Sequence, residues 1–109
     1  MNADIYQHIA LETANTELTS LQQLDNGLKG LNGEAGEAID HLKKHQYQGH
    51  ELNPDYMIKE LGDILWYCAI TAHALDIKLS DVMKLNVEKL RARYPDGFSS
   101  DRSINREDG

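Results

Sequence analysis

The sequence predicts an all-α protein, a small four-helix bundle built from one domain of 109 residues. Three observations predict it. Apolar residues recur at three- and four-residue intervals along most of the chain. Alternating runs of Val, Ile and Thr, which mark half-buried strands, are missing. Breakers separate the periodic stretches into helices of about four to six turns, the length that bundles use.

The first helix is expected from about Asp4 to Leu24, with Ile5, Ile9, Leu18, Leu21 and Leu24 on its apolar side. "DNGLKG" (25–30) reads as a turn, because Asn-Gly and a second glycine punctuate it. The second helix runs from about Leu31 to Lys44. "HQYQGHELNPD" (45–55) is a connection broken by Gly49 and Pro54. The third runs from about Tyr56 to Leu75, and "DIK" separates it from a fourth, about Ser80 to Tyr94, with Ser80 as N-cap and Pro95 as the stop. A polar tail follows over about 96–109, with Phe98 and Ile104 its only large apolar side chains.

Composition narrows the function. Eighteen acidic against eleven basic residues give a net charge of −7, which argues against a nucleic-acid polymer as partner. A small polyphosphate bridged by a cation stays compatible with that charge. No apolar run approaches the roughly 20 residues of a membrane span, and the start "MNADIYQHIALE" lacks the basic and apolar segments of a signal peptide. A single cysteine, Cys68, rules out an internal disulfide and fits a reducing compartment, so the cytoplasm is the expected location. So short a chain buries a modest core, which makes self-association plausible.

The second and third helices carry the chemistry. In the second, Leu31, Ala35, Ala38, Ile39 and Leu42 form an apolar stripe, with Glu34 and Glu37 about 60° and 120° to one side of Leu31. In the third, Met57, Leu61, Ile64, Cys68, Ala72 and Leu75 form the stripe, with Glu60 and Asp63 at the same two offsets from Met57. If the stripes face each other in an antiparallel hairpin, both acidic flanks point to the same side. All four carboxylates then meet at the edge of the core. Like charges so close require protonation or a cation. Oxygen-only ligands select hard ions, Mg²⁺ or Mn²⁺, and a pair of such ions suits phosphate chemistry.

Glu34-x-x-Glu37, then 22 residues, then Glu60-x-x-Asp63, inside "EAGEAID" and "KELGDILWY", resembles the MazG-like nucleoside triphosphate pyrophosphohydrolases of the all-α NTP pyrophosphatase superfamily. "NVEKLRARYPDGFS" (86–99) extends the resemblance, which covers about residues 28–99. It implies Mg²⁺-dependent cleavage of a nucleoside triphosphate between its α and β phosphates, giving the monophosphate and pyrophosphate. It also implies assembly as a dimer or dimer of dimers, with active sites near subunit contacts. Many members carry another Glu immediately before the first motif residue, where this chain has Gly33. That extra carboxylate's role does not transfer.

On this reading Glu34, Glu37, Glu60 and Asp63 hold the metal, and one of Glu34 and Glu37, Glu37 by preference, orients or deprotonates the attacking water. Asn86, Lys89 and Arg93 share one face of the fourth helix and are candidates to meet substrate phosphates, against the alternative of a solvated face. Tyr67, one turn after Asp63, is a candidate for the sugar or base, or else packing. Trp66 points nearly opposite the stripe and suits a subunit contact or a cover for the base. His41, one turn beyond Glu37, is either a partner of the metal ligands or solvent-facing. Cys68 lies on the core stripe and reads as a buried thiol. A non-catalytic helical module binding a nucleotide or partner protein is the alternative. A di-iron carboxylate bundle would need Glu-x-x-His pairs, which neither acidic pair supplies.

Overall fold

A computed structural model describes residues 1–105 of the chain; Arg106, Glu107, Asp108 and Gly109, the end of the expected polar tail, lie outside the described residues. Among the described residues there are five helices and no strand: α1 (Ala3–Glu12), α2 (Ser20–Gln48), α3 (Pro54–Ala74), α4 (Leu79–Arg93) and α5 (Ser100–Ile104). The all-α class stands; the boundaries of the first two helices differ from expectation, α4 begins at Leu79 so that Ser80 lies inside it and is not its N-cap, and the expected polar tail contains α5. The predicted first helix stops at Glu12, and a second begins at Ser20. Thr19 caps it through a reciprocal pair: its hydroxyl accepts the Gln22 N–H, and the Gln22 side chain accepts the Thr19 N–H. The helix then runs straight through the expected turn at 25–30.

The glycines of that segment serve packing. A methyl on Gly27 would overlap the Thr71 hydroxyl of α3, and one on Gly30 would overlap the Tyr67 ring. The missing side chains let two backbones close, so the turn signal was a contact signal. A true stop comes at Gly49, whose φ of 74° gives the left-handed cap that glycine adopts without strain. Asn53 then caps α3 by accepting the Tyr56 N–H, with Pro54 in the first turn.

The chain forms two compact units, Met1–Leu79 and Ser80–Gly109. In the first, α2 and α3 make an antiparallel hairpin, as expected: Gly27 meets Thr71, Gly30 meets Tyr67, and His41 meets Tyr56. Helix α1 lies on α3. Its Gln7, only 8% exposed, donates from Nε2 to the carbonyls of Ala69 (3.1 Å) and Ile77 (3.2 Å), and its Oε1 accepts the Leu79 N–H (3.0 Å). Trp66 closes the other end: its indole N–H donates to Thr13 Oγ1 (2.9 Å) and the Ala10 carbonyl (3.2 Å). The polar edge of Trp66 is thus held within the protomer, while its ring stays partly exposed. Ala10, Ala69 and Leu79 form the buried centre, with Tyr6, Trp66 and Cys68 packed around it.

The hairpin seam does not run along the two apolar stripes. Ile39, Leu61 and Leu75 of those stripes are 67%, 64% and 59% exposed. The helices meet instead on the face carrying Gly27, Gly30 and Glu34 of α2 and Glu60, Tyr67 and Thr71 of α3, where absent side chains permit the closest approach. In the second unit, α4 carries Asn86, Lys89 and Arg93, and the Tyr94 and Phe98 rings pack 5.6 Å apart beyond its end.

Candidate active site

The register of the hairpin sets the carboxylates. With Gly30 level with Tyr67 and His41 level with Tyr56, Glu37 stands level with Glu60 and Glu34 with Asp63. Glu34, Glu37 and Glu60 each offer an oxygen lying within 4.8 Å of the other two. Asp63 falls outside this trio, but its charge acts on Glu34 and on the Tyr6 hydroxyl of α1. The cluster lies in the seam and not at the edge of an apolar core: Glu60 is 7% exposed.

Burying acids side by side has an electrostatic consequence. The Glu34 carboxyl is held above the ordinary glutamate range, first by a hydrogen bond shared with Glu60, then by burial and by the charges of Glu60 and Asp63, with a hydrogen bond to Glu37 opposing. Even so, Glu34 Oε2 and Glu60 Oε2 are buried without a hydrogen-bond partner. An unpaired buried carboxylate oxygen is costly. Oxygens from three carboxylates, two of them orphaned and all converging from two helices, fit a hard divalent cation.

The family model of the MazG nucleotide pyrophosphohydrolase domain matches residues 22–98, more than two thirds of the chain. The chain belongs to the MazG nucleotide pyrophosphohydrolase family. The matched span holds all four carboxylates and ends in the second unit, so α1 and α5 of this MazG protein lie outside it. The chain is also similar to the Gene 37 protein of Mycobacterium phage L5, 37% identical over 114 residues, covering 97% of this chain and 100% of that relative. No solved structure matches.

Other residues of the MazG domain divide by where the fold puts them. The Tyr67 ring lies against Gly30 and meets Trp66 edge-on at 4.9 Å, so packing engages it. Asn86, Lys89 and Arg93 stand on α4, in the second unit. His8 pairs with Glu12 at 3.8 Å on an exposed side of α1. Burial raises the Cys68 thiol above its usual range, which fits an inert packing role.

Sequence reasoning missed two tyrosines. The Tyr56 hydroxyl is pushed up by burial and then by Glu60, Glu37 and Glu34, with Lys44 acting the other way. Tyr56 precedes Glu60 by one helical turn, so the i,i+4 spacing carried that signal. Tyr6 is raised by burial and by Asp63; it joins the site only because α1 packs on α3, and no local pattern shows that. His41, singled out beforehand, is half-buried. Its ring packs 4.6 Å from Tyr56, and its Nε2 accepts the Asn53 N–H at 3.2 Å.

Proposed function

We propose that this protein is a Mg²⁺-dependent hydrolase, with Mn²⁺ as a substitute. It cleaves nucleoside or deoxynucleoside triphosphates between the α and β phosphates and limits excess or noncanonical nucleotides. The observation that carries this reading is the glutamate trio with its two orphaned buried oxygens, in a chain of the MazG family. Glu34, Glu37, Glu60 and Asp63 hold the metal. When bound, the ion supplies charge neutralisation at the phosphates and a water nucleophilic at neutral pH.

The chain's own groups do the remainder. Glu37, the exposed member of the trio, orients the attacking water and takes its proton. The water oxygen bonds to the α-phosphorus, the bond from that phosphorus to the α–β bridging oxygen breaks, and its electron pair leaves on pyrophosphate. Asn86, Lys89 and Arg93 meet substrate phosphates, and Tyr67 offers its hydroxyl.

The active form is a homodimer or dimer of dimers. Two observations support this. Among the described residues no large side chain is fully buried within the protomer. Leu28 and Ile39 of α2 and Leu61 and Leu65 of α3 form an exposed apolar face on the flank of the hairpin away from Glu37 and Asp63. Incubating the protein with a panel of triphosphates and Mg²⁺, with detection of pyrophosphate, tests the reading. The expected result is monophosphate and pyrophosphate in equal amounts, lost in Glu37→Ala and Asp63→Ala. No product with any triphosphate at micromolar enzyme sinks it.

A further inference from the structure

A cavity of about 310 Å³ opens beside the carboxylate trio, along the side of α2 that faces away from the exposed apolar surface. Glu37 belongs to both trio and cavity, so the cavity opens onto the metal ligands. Its volume is at the lower end of small-ligand pockets, roughly 300–1,000 Å³. Its walls are unusual for such a pocket because no aliphatic residue lines them; Asp40, His41, Lys44 and Tyr56 supply the surface beyond Glu37. A sugar or base would need flat apolar walls, and the Tyr56 ring already packs at a tilt against His41, 4.6 Å between centroids. A charged, hydrogen-bonding ligand suits this surface better.

Three donors are arranged for such a ligand. The Lys44 ammonium is held by Asp40 at 3.1 Å, on the cavity wall. Because His41 Nε2 accepts the Asn53 N–H, the proton of its neutral ring sits on Nδ1 as a donor. Tyr56 lines the same cavity one helical turn before Glu60, and its hydroxyl is the third donor. The floor is bare for a reason packing does not give. Gly33 and Gly36 line the cavity, and a methyl on either would meet nothing within 4 Å. Mid-helix glycine costs about 1 kcal/mol relative to alanine, and no contact among the described residues repays that here. Bare backbone at both positions leaves room for a ligand to lie against the helix.

We propose that this groove seats the pyrophosphate portion of the substrate, the β and γ phosphates, with Lys44, Tyr56 and His41 as its donors and Gly33 and Gly36 as its floor. The proposal rests on the triphosphate reading above and adds where the leaving group sits. It makes Lys44 a positioning residue whose charge meets that developing on departing pyrophosphate. The ligand's own charge requires the metal, because Glu37 and Asp40 outweigh Lys44 in the empty groove.

The test is calorimetric titration of the full chain with inorganic pyrophosphate in Mg²⁺, beside a titration with Mg²⁺ alone. Lys44→Gln should weaken pyrophosphate binding by about tenfold, the effect of one charge-assisted contact, with Mg²⁺ binding unchanged. Gly36→Leu should fill the groove and weaken pyrophosphate binding at least as much, while its melting temperature rises, which separates blockage from misfolding. Pyrophosphate affinity unaltered in both variants, or no pyrophosphate binding to the unaltered chain, overturns the groove. Turnover of triphosphates, measured separately, decides the parent reading. An active enzyme with groove-independent pyrophosphate binding therefore refutes this inference alone.

Discussion

Four glycines on α2, replaced one at a time by alanine, should divide by sign. Each substitution gains about 1 kcal/mol of helix propensity. At Gly36 and Gly33 the new methyl meets nothing within 4 Å, so the gain should appear undiminished. For a domain of this size 1 kcal/mol moves the melting temperature by roughly 4–8 °C. At Gly30 the methyl overlaps the Tyr67 ring, which already meets Trp66 edge-on at 4.9 Å. Overpacking of this kind costs about 1–3 kcal/mol, which offsets the propensity gain and leaves a net loss on the order of 1 kcal/mol. Gly27 falls between. The Thr71 hydroxyl can rotate away, but its Cβ stays 3.3 Å from the new methyl. Thermal melts followed by circular dichroism measure all four. Equal destabilisation by Gly36→Ala and Gly30→Ala would refute the reasoning, because it would mean that helix α2 has no open side. Gly30→Ala should also weaken Mg²⁺ binding, since the seam that it wedges apart holds Glu34 against Glu60.

Glu60→Gln should raise the stability of the metal-free protein and abolish its stabilisation by Mg²⁺, which for the unaltered protein amounts to about 2.7 kcal/mol at a hundredfold excess over Kd; melts with and without Mg²⁺ measure it, and a retained Mg²⁺ effect would remove Glu60 from the site. The pH dependence follows from Glu34, whose folded pKa lies above its ordinary value of 4.5 because of the hydrogen bond shared with Glu60, burial, and the charges of Glu60 and Asp63, against an opposing hydrogen bond to Glu37. A raised folded pKa gives stability that is full below the unfolded value and lost as pH rises through the folded one. Relative to Glu34→Gln, the metal-free protein should therefore lose stability as pH rises above 4.5, and Mg²⁺ should restore it; parallel melting curves of the two proteins across that range would contradict this. Gln7→Leu strips partners from two carbonyls and one N–H and should cost about 3 kcal/mol in urea unfolding, at about 1 kcal/mol each; a loss under about 0.5 kcal/mol would show that solvent replaces them. Leu61→Asp, on the exposed apolar face, should shift sedimentation from oligomer to monomer with helix content retained.

The sequence alone determined the helical class, the hairpin of α2 and α3, and the carboxylates that the hairpin carries. These are matters of period. A 100° step fixes the angle between Leu31 and Glu34 whatever the rest of the chain does, and a connection of about a dozen residues fixes the antiparallel sense. Caps were partly legible: Pro54 and Gly49 marked true boundaries, whereas the box at Thr19 and Gln22 went unread.

Only the tertiary structure decided which face of each helix is the seam. Glycine has one letter and two uses, a turn where φ is positive, as at Gly49, and a close approach where a neighbour needs the space, as at Gly27 and Gly30. Nothing local distinguishes them, because the neighbour lies some forty residues away in the chain. The same choice drew Glu34 and Glu60 into the seam, turned Ile39 and Leu61 outward, and brought Tyr6, His41 and Tyr56 to the acids. Periodicity says where side chains point around their own axis; which directions become inside depends on what packs there, and that is a property of the whole fold.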